Sequence, residues 1–305
     1  MLLEREYGEG MTTATPATLA WQSERGRLIG IAYRMLGDFG HAEDVVSDVA
    51  IEAVQAERGA PPIRSWPAWL TTVCVRRSID RVRQLAAVRE EYPGTWLPEP
   101  VATALLPEDA VANRELLSLS LLHLAEQLPP EARAALILSR AFEMTAPEIG
   151  EVLDKSPAAV RQLISRAERR LRIDPDAAAP RPADRPALER LVTAIANGDL
   201  ETVMSLFAPD AVLYSDGGGK VRAARNPIYG GANIARFYLG IFAKTAAEHP
   251  DAPMQVAVFE VNDAFVIAFD SPGRRDVLEI AYDDAGHVIE VHQISNPDKL
   301  TRMPS

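Results

Sequence analysis

Cysteine and long apolar runs are scarce in this sequence of 305 residues. Its single cysteine, Cys74, excludes a disulfide framework or a cysteine zinc cluster within one chain and fits a reducing cytoplasm. No segment approaches the ~18 uninterrupted apolar residues of a membrane span. The N-terminus has no basic-then-apolar signal pattern. We therefore expect a cytoplasmic protein without a membrane partner.

The composition, with 47% hydrophobic and 25% charged residues, is typical of a globular chain with two or three domains. The net charge of −11 at first argues against a nucleic-acid partner. The charge is unevenly distributed, however, because six arginines between Arg64 and Arg89 are accompanied only by Asp80. A basic segment in an acidic chain indicates focused contacts with DNA, with acidic faces left for other partners.

The strongest local pattern runs from Thr145 to Arg172 and predicts two helices joined by a turn at residues 153–155. The second helix begins with Ser156 as N-cap and Pro157 at its first position. Apolar residues recur at helical spacing on one face, and the opposite face carries five arginines and one glutamate. The pattern is typical of a helix-turn-helix that places its second helix in the major groove, although a solvated basic face remains an alternative. The candidate DNA contacts are Ser156, Ala158, Ala159, Arg161, Gln162 and Arg166.

The N-terminal half predicts three further helices, over 19–37, over 41–57 and from Trp66 onward. The second of them exposes an acidic face that includes Asp44 and Asp48, without a visible partner in the chain. That face is either merely solvated or docks on a basic partner. The third helix carries the polar residues Arg76, Arg77, Asp80, Arg81 and Arg83.

Several segments together resemble a known family. Residues 28–48 and 68–83 are similar to region 2 of an extracytoplasmic-function sigma factor, and the segment from Leu128 is similar to region 4. Three separated motifs, at 96–100 (WLPEP), 216–220 (DGGGK) and 296–300 (NPDKL), resemble signatures of the subgroup with a fused SnoaL-like domain. One departure is Gly150, where alanine is usual in the first helix of the turn motif.

The resemblance implies a dissociable specificity subunit of RNA polymerase. Its partners would be promoter DNA and core polymerase, whose clamp would be bound around Asp44 and Asp48. The arginine-rich third helix would engage the −10 element, and the helix from Ser156 would read the −35 element. The alternative is a ligand-responsive repressor, or a cyclase- or isomerase-like enzyme fused to DNA-binding helices.

The predicted fold class is multidomain, with two all-α sigma domains followed by an α+β cone of the NTF2/SnoaL type. The expected limits are a disordered leader (1–17), region 2 (18–91), a linker with the WLPEP motif (92–112), region 4 (113–173), a Pro/Ala linker (174–186), the cone (187–295) and a tail with the NPDKL motif (296–305). A helix is expected over 113–127. In the cone we expect helices over 187–198, 200–207 and 231–247. A curled antiparallel sheet is expected from strands at 211–214, 221–224, 254–261, 264–270, 277–282 and 288–294.

The cone would enclose an apolar pocket lined by Phe237, Tyr238, Phe242, Phe259 and Phe265, so a small-molecule ligand is a candidate partner. Relatives of such cones include enzymes with an Asp or His at the pocket mouth, and the polar candidates here are Tyr214, Asp216, Asp270, His287 and His292. Because no nucleophile–base pair is recognisable, we predict a regulatory domain without catalysis, cofactor or metal.

The three signature motifs are predicted to meet at one interface that sets activity in cis. Its candidate residues are Trp96, Glu99, Asp216, Lys220, Asn296, Asp298 and Lys299, with Lys220 or Lys299 paired to Glu99.

Overall fold

The N-terminal half of the chain is helical. The computed structural model describes residues 15–59, 62–111, 116–171, 181–252 and 254–304. Its first eight helices are α1 (Pro16–Leu36), α2 (Phe39–Glu57), α3 (Trp66–Glu90), α4 (Glu108–Val111), α5 (Leu119–Ala125), α6 (Pro130–Arg140), α7 (Ala146–Leu153) and α8 (Pro157–Leu171). Side chains of Thr15, Asp38 and Ser65 accept backbone N–H groups at the starts of α1, α2 and α3, as sequence capping rules predict. Among the described residues, no helix combines the length and hydrophobicity needed to cross a bilayer.

The C-terminal half is an α+β domain in which a curved sheet packs against helices. Its elements are β1 (Arg181–Pro182), α9 (Arg185–Ala196), α10 (Leu200–Leu206), β2 (Phe207–Asp216), β3 (Ile228–Tyr229), α11 (Gly231–Glu248), β4 (Gln255–Val261), β5 (Ala264–Ser271), β6 (Arg274–Tyr282) and β7 (Val288–Ile294). The strand order is β3-β2-β7-β6-β5-β4, with β1 paired to β6. Helical sigma-type domains followed by this cone confirm the predicted fold class.

The two helical domains share one apolar core. Leu28 and Leu70 from the first three helices belong to the same buried cluster as Leu136, Ile149 and Val160 from α6, α7 and α8. The clusters of two separately folded domains would be distinct, so in this structure the domains are closed upon each other.

Both faces of the sheet are covered, because side chains alternate between them along each strand. On the inner face, Leu213, Leu278 and Val291 belong to the core that also contains Ile195 of α9 and Ile234 of α11. The outer face is instead covered by α5, the linker after α3 and the C-terminal tail, where Leu97, Leu119 and Ile294 form a small buried cluster. The cone is therefore built into the body of the protein.

Two predictions about the sheet were wrong. The segment 221–224 is not a strand, since the backbone oxygen of Arg222 accepts a hydrogen bond from Arg274 Nη1 at 2.7 Å rather than pairing with a neighbouring strand. The sheet is also mixed, because β2 pairs parallel with β7 while the other pairs are antiparallel. The chain returns to β2 only after α11 and the β4–β6 meander, which allows the parallel orientation.

Helix limits also differ from the expected ones. The helix expected over 113–127 begins at Leu119, because Ser118 caps it and Leu116 has a positive φ of 57°. Residues 112–115 lie outside the described part of the chain. The expected leader ends at Thr15, where α1 is capped, and its first 14 residues lie outside the described residues. Most of the Pro/Ala linker, up to residue 180, is likewise outside them.

Most of the aromatic side chains expected to line one pocket pack into the inner core, and Phe237 and Phe242 also border separate, partly open cavities. Tyr238 is 4% exposed, and Phe242 packs edge-on against Phe269 with ring centroids 5.0 Å apart. Phe237 and Phe265 pack against the same inner core. Phe259 was wrongly assigned to the pocket, because it packs with Leu300 and Met303 on the outer side of the sheet. Alternation along β4 sends it to that face.

Candidate DNA-binding helices and interdomain clamp

The helix-turn-helix forms as the capping pattern indicates. Asp154 adopts a left-handed conformation after α7, and Lys155 N donates to Gly150 O at 2.9 Å. A Cβ at Gly150 would stand 2.5 Å from Lys155 O, which explains why glycine replaces alanine at this position. Ser156 Oγ then accepts from Ala159 N at 3.2 Å and starts α8.

The outward face of α8 presents the predicted reader residues together. Val160, Ala167 and Leu171 are buried, whereas Arg161, Gln162 and Arg166 are exposed on the opposite side. Ser156 and Ala158 are also exposed at its first turn, and Ala159 is half-buried. Glu168, the only acid of the helix, is held by Arg140 of α6 at 2.6 Å, so the outward face keeps its positive charge.

Of the candidate arginines on α3, Arg76, Arg77 and Arg83 are exposed and Arg81 is half-buried, and two of them pair with the acidic helix α2. Arg81 Nη2 lies 3.3 Å from Asp44 Oδ2, and Arg77 Nε donates to Glu52 Oε1 at 2.5 Å. The interpretation of Asp44 as a residue without a partner was therefore wrong, because α2 and α3 pack side by side and bring the two charge stripes together.

The remaining α3 candidates differ in their surroundings. Arg76 and Asp80 are exposed, and Arg83 lies 3.3 Å from Asp80 and 3.6 Å from Glu131 of α6. The pair with Glu131 ties the predicted −10 helix to the domain of the predicted −35 helix.

The outer face of α2 also carries apolar residues that sequence reasoning missed. Asp48 is exposed, and on the same helix Ile51 and Val54 are 58% and 41% exposed. The sequence signal for this surface was a pair of branched apolar side chains on an otherwise polar helix face. This face of α2 therefore combines negative charge with exposed apolar area.

A buried carboxylate joins the linker to the cone. Asp216, at the end of β2, is 1% exposed and accepts from Tyr92 Oη at 2.6 Å and from Leu97 N at 2.9 Å. Lys299 Nζ donates to the same carboxylate at 2.8 Å and also to Leu97 O. We call Tyr92, Trp96, Leu97, Asp216, Asn296 and Lys299 the linker clamp.

Aromatic rings enclose the Lys299 ammonium. Lys299 is 7% exposed, and its Nζ lies 3.7 Å from the Trp96 ring centroid. Burial lowers the pKa of Lys299, while the charge and hydrogen bond of Asp216 oppose that shift. The guanidinium of Arg89 stacks on Trp96 at 3.8 Å. Trp96 thus bridges α3 to the C-terminal tail through two cation–π contacts.

The glycine-rich motif after Asp216 allows close packing. Gly218 has a φ of +59°, and a Cβ there would lie 2.3 Å from Asn296 Nδ2. Asn296 Nδ2 in turn donates to Tyr92 Oη at 2.9 Å. The DGGGK and NPDKL motifs therefore meet the linker at one place. The third signature motif, WLPEP, lies within that linker and supplies Trp96 and Leu97.

The predicted pairing of Glu99 with a lysine was wrong. Glu99 is 3% exposed and accepts from Arg302 Nη1 at 2.8 Å and from Phe39 N at 2.7 Å. Burial raises the pKa of Glu99, and the bonds from Phe39 and Arg302 counteract it. Lys220 pairs instead with Asp298 at the surface. Arg302 reaches Glu99 because the tail crosses the start of α2, where it also meets Glu43 at 3.0 Å.

Two further bridging residues were not found from sequence. Asn262, in the β4–β5 turn, accepts from Val101 N at 2.9 Å and donates to Leu117 O at 2.9 Å. Glu279 on β6 accepts the first backbone N–H groups of α5, from Leu119 at 2.9 Å and Ser120 at 3.0 Å. Burial raises the pKa of Glu279 to about 7, and those two donors oppose it. No local pattern marks either residue, since their partners are more than 140 positions away.

The polar residues predicted as candidates for a catalytic pocket make ring contacts and ion pairs with neighbouring side chains. Tyr214 and His292 stack at 5.4 Å beneath His123 of α5. Burial lowers the pKa of His123 to about 4 and that of His292 well below its usual value. Asp270 pairs with Arg275 at 2.6 Å, and His287 lies 3.3 Å from Asp283. Within the described ranges, no group of three or more His, Cys, Asp and Glu side chains is arranged to hold a metal ion.

Together, these elements define a multidomain DNA-binding protein of the transcription-initiation class. The sequence matches the family models for Sigma-70 region 2, over residues 20–88, and Sigma-70 region 4, over residues 118–171. The chain belongs to the extracytoplasmic-function (ECF) RNA polymerase sigma factors.

Among curated relatives, the ECF RNA polymerase sigma factor SigJ of Mycobacterium tuberculosis is 34% identical over 294 residues, covering 93% of each chain. The probable ECF sigma factor SigI of the same species is 27% identical over 297 residues, covering 95% of this chain and 97% of SigI. The crystal structure of SigJ aligns with a TM-score of 0.74 and 32% identity, over 93% of this chain and 98% of that one.

The clamp geometry predicts a large loss of stability for Asp216→Ala. Removing the carboxylate leaves the Lys299 ammonium buried without its counter-charge, which costs about 3–5 kcal/mol. Lys220→Ala is the matched control, because its pair with Asp298 is half-exposed and contributes about 0–1 kcal/mol. Melting temperatures of the purified variants measure the difference. Equal melting temperatures would show that the Asp216–Lys299 pair does not hold the clamp.

Proposed function

We propose that this sigma factor reads promoters through α3 and α8, binds core RNA polymerase through α2, and is restrained in cis by its cone. The observation that carries the proposal is the outward face of α8, where Arg161, Gln162 and Arg166 lie together on the second helix of a helix-turn-helix.

The chemistry of α8 fits the −35 element. Arg161 and Arg166 can neutralise phosphates, and phosphate contacts position a protein without specifying sequence. Gln162 can pair with the N6 and N7 atoms of adenine in the major groove. Ala158 and Ala159 at the first turns allow the helix to approach base edges.

The chemistry of α3 fits the −10 element. Arg76 and Arg83 extend from an exposed face, and arginines combine phosphate neutralisation with stacking on unpaired bases. Arg77 and Arg81 are paired with α2 and would exchange those carboxylates for phosphates. Such exposed pairs contribute only about 0–1 kcal/mol each, so replacing them by phosphate contacts costs little free energy.

The outer face of α2 is the proposed contact for the polymerase clamp. Asp48 and Asp44 supply charge, and Ile51 and Val54 supply apolar area, beside one another on the exposed side. A charged rim around apolar anchors is the usual composition of a specific interface.

The closed arrangement supports a restraining role for the cone. The −10 and −35 elements are about 25 base pairs apart, or roughly 85 Å at 3.4 Å per base pair. The helix α3, with 25 residues, is only about 37 Å long and contacts α6 through Arg83 and Glu131. The two readers must therefore separate to occupy one promoter, and the clamped linker opposes that separation.

The first test is run-off transcription with core polymerase. The wild type should initiate transcription, and Asp48→Arg should abolish both transcription and core pull-down because it reverses charge at the proposed contact. Glu189→Arg, on the exposed side of α9 in the cone, is the matched charge reversal and should behave as wild type. A wild type that binds duplex but never supports initiation would favour the repressor alternative.

The second test separates phosphate from base contacts on α8. Arg161→Ala should weaken promoter binding at every sequence and lower the slope of log affinity against log salt by about 1. Gln162→Ala should relax base preference by about 1–3 kcal/mol while leaving that slope unchanged. Promoter titrations of holoenzyme at several salt concentrations distinguish the two. Wild-type behaviour of both variants would show that α8 is not the reader.

The third test concerns restraint by the cone. Arg302→Ala removes the tail's bonds to Glu99 and Glu43 and should favour the open form, so run-off product at limiting sigma factor should rise several-fold. Lys220→Ala leaves the linker contacts in place and should not change the yield. A fall in product from correctly folded Arg302→Ala would instead mean that the tail supports the active geometry.

A further inference from the structure

Two cavities adjoin the loop that follows the clamp aspartate. One, of about 440 Å³, lies between the loop, α11 and the β5–β6 turn, and the other, of about 470 Å³, lies between the loop and Pro93 of the linker. Both are lined by Arg222, Ala223 and Ala224, so the loop forms a shared wall. We call the two cavities together the loop cleft.

The loop cleft is a positively charged site in an acidic protein. Lys220, Arg222 and Arg225 line one cavity without any acid, and Arg222, Lys244 and Arg274 line the other with Glu248. Three of these cations are paired, Lys220 with Asp298, Lys244 with Glu248 and Arg274 with Asp276. Among the described residues, the side chains of Arg222 and Arg225 have no ion-pair partner. Both arginines are exposed, and arginines without an acidic partner that line a partly open cavity favour an anion.

The remaining lining has the composition of a small-molecule site. Phe237 and Ile241 of α11 provide an apolar wall in the first cavity. Ser215, which lines the second, is 2% exposed, and its Oγ has no hydrogen-bond partner in the part of the chain that the structure describes. A buried hydroxyl without a partner leaves an unmet hydrogen bond that a ligand atom can satisfy. Pockets of this size with apolar walls and few polar groups are typical of small-ligand sites.

A direct chain of contacts connects the loop cleft to the clamp. Arg274 Nη1 donates to Arg222 O at 2.7 Å, and Arg274 Nη2 donates to Ser295 Oγ at 3.3 Å. Ser295 N donates to Asp216 O at 2.7 Å. A ligand that moves Arg222 therefore acts on the strand ends that carry Asp216 and Asn296.

We propose that the loop cleft binds a small organic anion, an aromatic carboxylate or phosphate, in its first cavity, with the charged group on Arg222, which lines both cavities, and the ring against Phe237. We further propose that occupancy tightens the linker clamp; this second part rests on the cis restraint proposed above.

Binding is tested on the full chain by calorimetric titration with phenylacetate, phenyl phosphate, inorganic phosphate and 2-phenylethanol. The two aromatic anions should bind. Arg222→Gln should weaken them at least about tenfold, as expected for losing a charged hydrogen bond, whereas Arg225→Gln, at a residue that lines only the second cavity, should bind them as wild type. Arg190→Gln, an exposed arginine of α9 outside the cleft, is the matched control and should bind as wild type.

Several outcomes would overturn the site. If 2-phenylethanol bound as tightly as phenylacetate, the negative charge would not contribute to binding. If inorganic phosphate bound as tightly as phenyl phosphate, the apolar wall would not contribute. Wild-type affinity of Arg222→Gln with an unchanged melting temperature, or weakened binding by Arg225→Gln alone, would place the ligand outside the first cavity. Weaker promoter binding by Arg222→Gln, with no effect on the small anions, would make the loop a DNA contact instead.

The link to the clamp is tested separately by hydrogen exchange, without polymerase. Saturating phenylacetate should slow exchange of the Leu97 amide, which donates to Asp216, by at least about twofold. Binding with unchanged exchange at Leu97 would overturn the coupling but leave the site intact. Failure of the restraint itself would appear instead as unchanged transcription by Arg302→Ala.

Discussion

The arrangement of the domains depends on one buried charge, the carboxylate of Asp216. A carboxylate taken out of water is costly unless donors surround it. Here the donors are Tyr92 and Leu97 from the linker and Lys299 from the tail, all within 2.9 Å. Because the donors come from the linker and from the tail while the carboxylate belongs to the cone, satisfying this charge fixes the linker between the helical domains and the cone.

The uneven charge distribution has a second role in the closed form. The basic face of α3 lies against the acidic face of α2, so Arg77 and Arg81 are partly neutralised while the protein is free. In the proposed function, promoter phosphates would take the arginines of these pairs and the polymerase would take the carboxylates. Each partner would then release the charge that the other needs, so the two would favour one another's binding.

Local chemistry was predictable from sequence, and long-range pairing was not. The capping of α8 by Ser156 and its basic outward face follow from residue spacing alone, and the joining of the signature motifs followed from family resemblance. The cationic partner of Glu99 could not be predicted from the sequence, because Arg302 and the lysines have the same charge. Only the path of the tail decides which of them reaches Glu99. The parallel pairing of β2 with β7 and the role of Asn262 depend likewise on contacts between distant segments.

The outer sheet face shows how the closed form is held and what can open it. Its stability comes from apolar burial of Leu97, Leu119 and Ile294, whereas Glu279 and Asn262 fix the register of α5 and the linker. Opening exposes that apolar area to water, so it has to be compensated by an equally large new interface. A partner shifts the equilibrium only by its differential affinity for the two forms. In the proposed function, core polymerase and promoter DNA together would supply such an interface, because both would contact surfaces that the open form separates.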